Sequence, residues 1–333
     1  MYPKILYCDT EFNGWQEKRN NALDYSGRPL ECLAKYGADF LGLESWFELE
    51  GSVDFEAYDL IWVYLGHRYM KPAWYSFPRL IKNKAPDAKV VFTVDYEGLW
   101  YGKDLDLRMK LAWGEADFMH TITDFGYKYF SEELSIPVHY GTFGRPHAGG
   151  IKSPPHPFAK SRRTGVAFLR HTNLPQIMTQ LEVIKSVRMK AIGIDSVPQP
   201  FSDGSYLPYM ADAFRVKGDF YPRLEFSEYL DVIKKAYVGL DNHVGPSRFS
   251  YEMACLGVPV VHSEYSEYGN AIFPMLTCNH DSISDMYSKI KTLRISKKFY
   301  QDCVDQAKFE LEHYFAVTTC QRRLGLFIEE IMG

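Results

Sequence analysis

The sequence predicts an α/β protein of two doubly wound, Rossmann-like domains, and three observations carry that expectation. Short apolar runs such as Lys4–Cys8, Tyr58–Leu65, Lys89–Val94, Gly165–Leu169 and Val238–Leu240 have strand length, and several are apolar on both faces, as in parallel sheets. Helix-length segments alternate with them. The run RPHAGGIKSPPHPFAKSRR, Arg145 to Arg163, is rich in Pro, Gly and basic residues with little periodicity, and divides the chain. The predicted boundaries are a first domain over 1–145, a linker over 146–163, a second domain over 164–315 and a closing helix over 316–333.

The composition sets limits on function. A chain of 333 residues holds two ordinary domains, and 46% hydrophobic with 24% charged residues is the balance of a soluble globular protein. A net charge of −4 argues against a general nucleic-acid footprint. No apolar run approaches the roughly 20 residues that span a bilayer. MYPKILYCDTEF reads as a strand followed by acids, not as a signal peptide. The six cysteines are scattered without a CxxC pair, which predicts reduced thiols and a cytoplasmic protein.

In the first domain, Lys4–Cys8 is a strand, Asp9–Tyr25 a polar loop, Gly27–Tyr36 a helix and Phe40–Leu43 a second strand. The first loop falls at the carboxyl edge of the sheet, where ligands bind in such folds, so Asp9, Glu11 and Asn13 are candidate contacts. Solvated loop residues are the plain alternative. The stretch 67–84 interleaves His67, Arg68, Lys71, Arg79, Lys82 and Lys84 with Tyr, Trp and Phe. It fits peripheral contact with an anionic membrane or, in the reading preferred here, a solvent-facing helix packed on the sheet. The strand Lys89–Val94 delivers Asp95 and Glu97 to its carboxyl end, where either can take a proton or simply cap the turn. Asp104-Leu105-Asp106 has the form of a DxD metal motif, but at a helix start it reads rather as a cap for a helix over Leu107–Glu115. Ala116 to Gly144 then gives strand, helix and strand, with His120 a structural strand residue and Thr123-Asp124 a helix cap.

The second domain opens on Gly165–Leu169, and Arg170 stands at the carboxyl end of that strand, a position suited to phosphate. A helix follows over Leu181–Val187 and a strand over Lys190–Gly193. Asp195–Tyr221 reads as irregular, because Pro and Gly interrupt every period. An amphipathic helix spans Leu224–Tyr237. The organising stretch is DNHVGPSRFSYEMACLGVPVVHS, Asp241 to Ser263. Gly245 and Pro246 break the chain, and Ser247 offers its hydroxyl as N-cap to a helix over Arg248–Leu256, with Phe249, Met253 and Leu256 on one face. Gly257 ends that helix, Pro259 prevents its resumption, and Val258, Val260 and Val261 form a buried strand. The loop and helix start present unpaired N–H groups suited to a diphosphate. Arg248 adds a cation, and Glu252, about 6 Å further along the axis, reaches hydroxyls beyond it. An ordinary surface pair between Arg248 and Glu252 is the alternative. Glu264–Phe273 reads as a Tyr-rich loop, followed by helices over Ser282–Leu293, Lys297–Tyr314 and Thr318–Met332.

GPSRFSYEMACLGVPVV resembles the donor-binding segment of the family 4-like glycosyltransferases, retaining enzymes of GT-B fold. The family pattern is a Glu, a Gly-rich turn, a second Glu, then Ala-Met-Ala-x-Gly-x-Pro-Val-Val. Glu252 matches the second Glu, whereas Val244 stands where the first would fall. The resemblance implies two Rossmann-like domains with a cleft between them and a C-terminal helix crossing back to the first. It implies a sugar moved from a nucleotide-diphosphate donor to a glycan, lipid-linked or small-molecule acceptor, with retention and without a bound metal or other cofactor. Donor contacts then fall on Arg170, Gly245, Pro246, Ser247, Arg248, Phe249 and Glu252. Acceptor contacts fall on Asp9, Glu11, Asn13 and Glu97, with Asp95, Arg170 and Glu252 catalytic. Asp95 replaces a family His and Pro175 a family Lys. An inverting reaction with Asp95 as base stays open, as do a nucleotide-sugar epimerase or hydrolase and a catalytically weak binding module. No G-x-G-x-x-G follows the first strand, which argues against a Rossmann oxidoreductase.

Overall fold

The computed structural model describes residues 3–9, 33, 35–42, 53–66, 77–95, 111, 113–141, 165–170, 174–195, 204–245 and 247–333. The chain divides into two units, Met1–Pro146 with Tyr314–Gly333, and His147–His313. Strands β1 (Ile5–Asp9), β2 (Asp39–Gly42), β3 (Leu60–Gly66), β4 (Lys89–Asp95), β5 (Phe118–Thr121) and β6 (Val138–Tyr140) form one sheet, ordered β2-β1-β3-β4-β5-β6. The helices α1 (Phe77–Lys84) and α2 (Asp124–Glu133) belong to the same unit.

The second sheet joins β7 (Gly165–Arg170), β8 (Lys190–Asp195), β9 (Gly218–Tyr221), β10 (Ala236–Asp241), β11 (Val260–Ser263) and β12 (Thr277–Cys278), ordered β12-β11-β10-β7-β8-β9. Its helices are α3 (Leu174–Val187), α4 (Tyr206–Ala213), α5 (Phe226–Ile233), α6 (Arg248–Cys255), α7 (Glu267–Ile272), α8 (Ile283–Ile295) and α9 (Lys297–His313). The helix α10 (Val317–Met332) returns to the first unit. Every strand pair in both sheets is parallel. The predicted α/β class of two doubly wound sheets is the one observed.

Parallel pairing explains the apolar runs, since the inner strands of each sheet are buried on both faces, whereas the edge strands β6 and β9 are not. In the first sheet Leu6, Cys8, Ile61, Val63, Val90 and Phe92 enter one core with Phe77, Ile81, Trp113 and Phe130. The alternate residues Ile5, Tyr7, Leu60, Trp62, Tyr64 and Val91 enter the other, where α10 supplies Cys320, Leu324, Phe327, Ile328 and Ile331. Helix α1 puts Phe77, Pro78 and Ile81 into the core. Its cations turn outward, Arg79 to Glu115 and Lys82 to Asp117, so the apolar side of this helix is taken up by the sheet. At the start of α2 the Thr123 hydroxyl accepts a bond from the Gly126 amide at 2.9 Å, the cap expected there.

Four expectations need correction. Helix α3 begins at Leu174 rather than Leu181, because Pro175 occupies its first turn, where a missing N–H costs nothing. Asp195–Tyr221 is not irregular throughout: it contains α4 and β9, and Pro208 again sits in a first turn. The helix expected over Leu224–Tyr237 is shorter, since the chain already turns at Lys234-Lys235 and enters β10 at Ala236. Glu264–Phe273 contains the short helix α7. The 146–163 linker and Asp104–Asp106 lie outside the described residues, as does most of the helix read over Gly27–Tyr36.

Beneath α10 the first sheet buries a polar chain. Trp62 Nε1 donates to Thr93 Oγ1 at 2.8 Å, and that hydroxyl lies 3.2 Å from His120 Nδ1. His120 pairs in register with His139, whose ring stacks on Phe327 at 3.8 Å. Burial holds the His120 imidazole well below its usual 6.5, and His139 adds in the same direction. Burial also lowers His139, against the opposing pull of Glu330. With both folded values depressed, the unfolded chain binds more protons once the pH drops below about 6.5, so stability is lost on acidification. Thermal melts from about pH 7.5 to about pH 5.5 should show a falling Tm. His120→Gln should flatten that fall. Phe327→Ala, which empties the middle of the α10 contact, should destabilise the first unit by about 3–5 kcal/mol in urea titrations.

Candidate functional site

From β7 the chain runs outward through β8 to β9, then returns to β10 and runs the other way through β11 to β12. The order therefore reverses between β7 and β10. In an open parallel sheet, the crevice outside the carboxyl ends at such a reversal is where ligands bind. Arg170 closes β7 and the Asp241-Asn242 pair follows from β10, so this crevice is bounded by two stretches singled out in the sequence.

Asp241 builds the crevice from beneath. Its buried carboxylate accepts a bond from the His243 amide at 3.1 Å and another from the Ser250 hydroxyl at 2.9 Å. One side chain thereby ties the strand end to the following loop and to helix α6. Asn242, fully buried, donates to Asp281 Oδ1 at 3.1 Å and to the Gln176 carbonyl at 3.3 Å. Gln180, one turn along α3, donates to the Leu240 carbonyl at 3.3 Å. The start of α3 is thus bonded to the end of β10. At the tip of β11 the Ser263 hydroxyl lies 2.9 Å from His280 Nδ1, and His280 Nε2 lies 3.3 Å from Asp281.

The Gly245 loop owes its shape to backbone geometry. Gly245 has φ 101°, which favours glycine, and its amide and carbonyl bond Tyr265 and Glu267 at 2.8 and 3.1 Å. Helix α6 then starts at Arg248 with Ser247 in the N-cap position. The Ser247 side chain makes no cap bond, contrary to the sequence expectation. Phe249 and Met253 come down onto Gly239 of β10, where even a methyl group would meet both within about 3.1 Å, so the helix lies close on the sheet. The predicted apolar face is present, but the burial goes further: every residue from Phe249 to Cys255 is buried. Phe249 therefore packs in the core and brings only its backbone amide to the first turn.

Arg248 is exposed whereas Glu252 is only 8% exposed, so the two do not form a pair on an open helix surface. The Glu252 carboxylate accepts a bond from the Tyr229 hydroxyl of α5 at 2.6 Å. Burial raises the Tyr229 pKa well above 10, and the charge and hydrogen bond of Glu252 raise it further, against the opposing charge of Arg248. The tyrosine therefore stays protonated and donates.

The described structure fixes the backbone of Arg170 and all of Gly245, Ser247, Arg248, Phe249 and Glu252 around one end of the second sheet. The Arg170 side chain and Pro246 lie outside the described residues. In the first unit Asp9 closes β1 and Asp95 closes β4, opposite Gly66 of β3. Their side chains, and all of Glu11, Asn13 and Glu97, lie outside the described residues. Sequence reading missed Tyr229, Asp241, Ser250 and the Gln176/Gln180 pair as site builders. Gln176 and Gln180, one turn apart in α3, were the one available signal. Among the described residues no group of three or more His, Cys, Asp or Glu side chains is placed to hold a metal ion, and no helix is long and apolar enough to cross a membrane.

The sequence matches no family model and no curated protein. Solved structures do resemble it. A UDP-forming α,α-trehalose-phosphate synthase from Burkholderia xenovorans superposes with a TM-score of 0.69 at 9% identity, covering 99% of each chain. HepE from Anabaena, in complex with UDP-glucose, superposes with a TM-score of 0.67 at 11% identity, covering 98% of this chain and 100% of HepE. The E. coli trehalose-6-phosphate protein bound with UDP-2-fluoro glucose gives 0.62 at 9% identity, over 87% of this chain and 75% of its own. These likenesses establish the fold: two six-stranded parallel sheets with their helices, closed by C-terminal helices, form a GT-B-like α/β structure.

Proposed function

We propose that this chain is a glycosyltransferase that takes a sugar from a nucleotide-diphosphate donor, and that its second unit holds the donor. The observation that carries the reading is the convergence at the β7/β10 reversal. An Arg at one strand end, a Gly245 loop opening into a helix and a buried Glu252 one turn on suit, in turn, a diphosphate and the hydroxyls next to it. The structures that share the fold include one in complex with UDP-glucose and one bound with UDP-2-fluoro glucose, which supports a nucleotide sugar as the ligand class.

In this reading Arg170 and Arg248 neutralise the diphosphate, and the amides of Ser247, Arg248 and Phe249 at the start of α6 bond its oxygens. Leaving-group charge is then met by fixed donors, without a metal ion or other cofactor. Glu252 accepts bonds from donor hydroxyls. Asp9, Glu11, Asn13 and Glu97 of the first unit are assigned to a glycan, lipid-linked or small-molecule acceptor, and Asp95 to its proton. Retention follows from the family resemblance. A second reading, a nucleotide-sugar binder with little turnover, is favoured by one observation: Val244 and Pro175 stand where the family carries an acid and a Lys.

A thermal-shift panel of UDP, GDP, ADP, CMP and dTDP with their sugars tests the donor site. One nucleotide series should raise the Tm by a few degrees at millimolar concentration, and Glu252→Ala should abolish most of that rise. Absence of any shift would sink the donor assignment. Release of nucleotide from the stabilising sugar donor, on addition of an acceptor, separates transferase from binder. Asp95→Asn should cut that release about 100-fold or more while leaving the thermal shift in place.

A further inference from the structure

The Tyr229–Glu252 bond joins the helices that precede and follow β10 in the chain, and both side chains are buried. At 2.6 Å it has the length of a hydroxyl bonded to an ionised carboxylate. A Glu side chain that ends a helix-borne lever has three rotatable torsions, the last of them broad. One strong bond to Oε2 from a neighbouring element restrains that freedom and holds one carboxylate oxygen in place. Tyr229 is itself placed in the buried interior by α5, with Arg248 and Asp241 near enough to act on it electrostatically. The bond is thus aimed by two secondary-structure elements rather than by a loop.

We infer that Tyr229 is a positioning residue for the donor site: it fixes the Glu252 carboxylate so that its oxygens meet two vicinal hydroxyls, those of a nucleotide ribose. This rests on the donor reading proposed for the second unit. A carboxylate restrained in this way is ready for the two adjacent O–H donors of a ribose, whereas a freely rotating one must be ordered at the moment of binding. Selectivity for the ribose over a sugar lacking those hydroxyls therefore depends on Tyr229 even though the tyrosine need not touch the ligand. A site built to pair hydroxyls penalises their absence, since its buried polar groups are then left unpaired.

The test is calorimetric titration of the full chain with the nucleoside diphosphate that stabilises it and with the 2′,3′-dideoxy form of the same nucleotide. Wild type should prefer the ribonucleotide by about 10-fold or more, and Tyr229→Phe should reduce the preference to within about 3-fold by weakening ribonucleotide binding alone. Glu252→Gln and the double variant complete a cycle. Because Tyr229 acts through Glu252, adding Tyr229→Phe to Glu252→Gln should change the preference no further. Loss of affinity for both nucleotides equally would show a merely structural role and overturn the inference. So would an unchanged preference in Tyr229→Phe, with the donor site left standing. If wild type binds the nucleotide without preferring its ribo form, the Glu252 assignment fails and the inference with it. If no nucleotide binds, the donor reading itself falls. Should Tyr229→Phe not fold, Tyr229→His, which keeps a ring donor, must retain more of the preference than Tyr229→Leu.

Discussion

A carboxylate that leaves water must find donors, and the two that Asp241 finds determine the layout of the second unit. Its bonds to the His243 amide and the Ser250 hydroxyl reach into the loop and into helix α6 from the last residue of β10. Three consecutive pieces of chain are therefore referred to one atom group at the sheet edge. Desolvation makes this arrangement stringent, because a buried carboxylate deprived of either donor is left under-solvated. The close approach of Phe249 and Met253 to Gly239 then sets how far above the sheet α6 lies. Glu252 inherits its position from both constraints, and Tyr229 adds the remaining one.

The first unit is organised by a different economy. Its sheet has two apolar faces, and among the described residues α1 and α2 send Phe77, Ile81 and Phe130 onto one of them. Helix α10 completes the second face with Cys320, Leu324, Phe327, Ile328 and Ile331. It is also held through hydrogen bonding, since the Tyr36 hydroxyl donates to the Gln321 carbonyl at 2.7 Å. The polar chain from Trp62 through Thr93 to His120 runs under this helix, where hydrogen bonds replace water for these three side chains and His139 stacks on Phe327. Its two histidines remain neutral because the surrounding aromatic rings and apolar side chains solvate charge poorly.

What the sequence made legible was local chemistry. The Gly257 break (φ 66°), the valines after it and the Thr123 cap are each set by residues a few positions apart, and each appears where expected. Apolar strand runs were equally legible, because burial on both faces leaves a mark in composition alone. Proline misled where it was taken for interruption. In α3 and α4 it occupies a first turn, and the helices begin there. The helical burial of Glu252 was invisible for another reason: its partner Tyr229 stands 23 positions away on another helix. No periodicity encodes such a contact. The Asp241–Ser250 bond, across a loop with a glycine at φ 101°, was hidden in the same way.

The return of α10 to the first unit bears on how the chain is made. Synthesis runs from the amino end, so all of His147–His313 must leave the ribosome before Val317–Met332 can reach the first sheet. Until then the side of that sheet bearing Trp62, Tyr7 and Leu60 lacks the cover that α10 gives it. The second unit, contiguous in sequence, faces no such delay. Vectorial synthesis therefore inverts the usual order: the half begun first is the half finished last, and its exposed apolar face is what a chaperone would meet on the nascent chain.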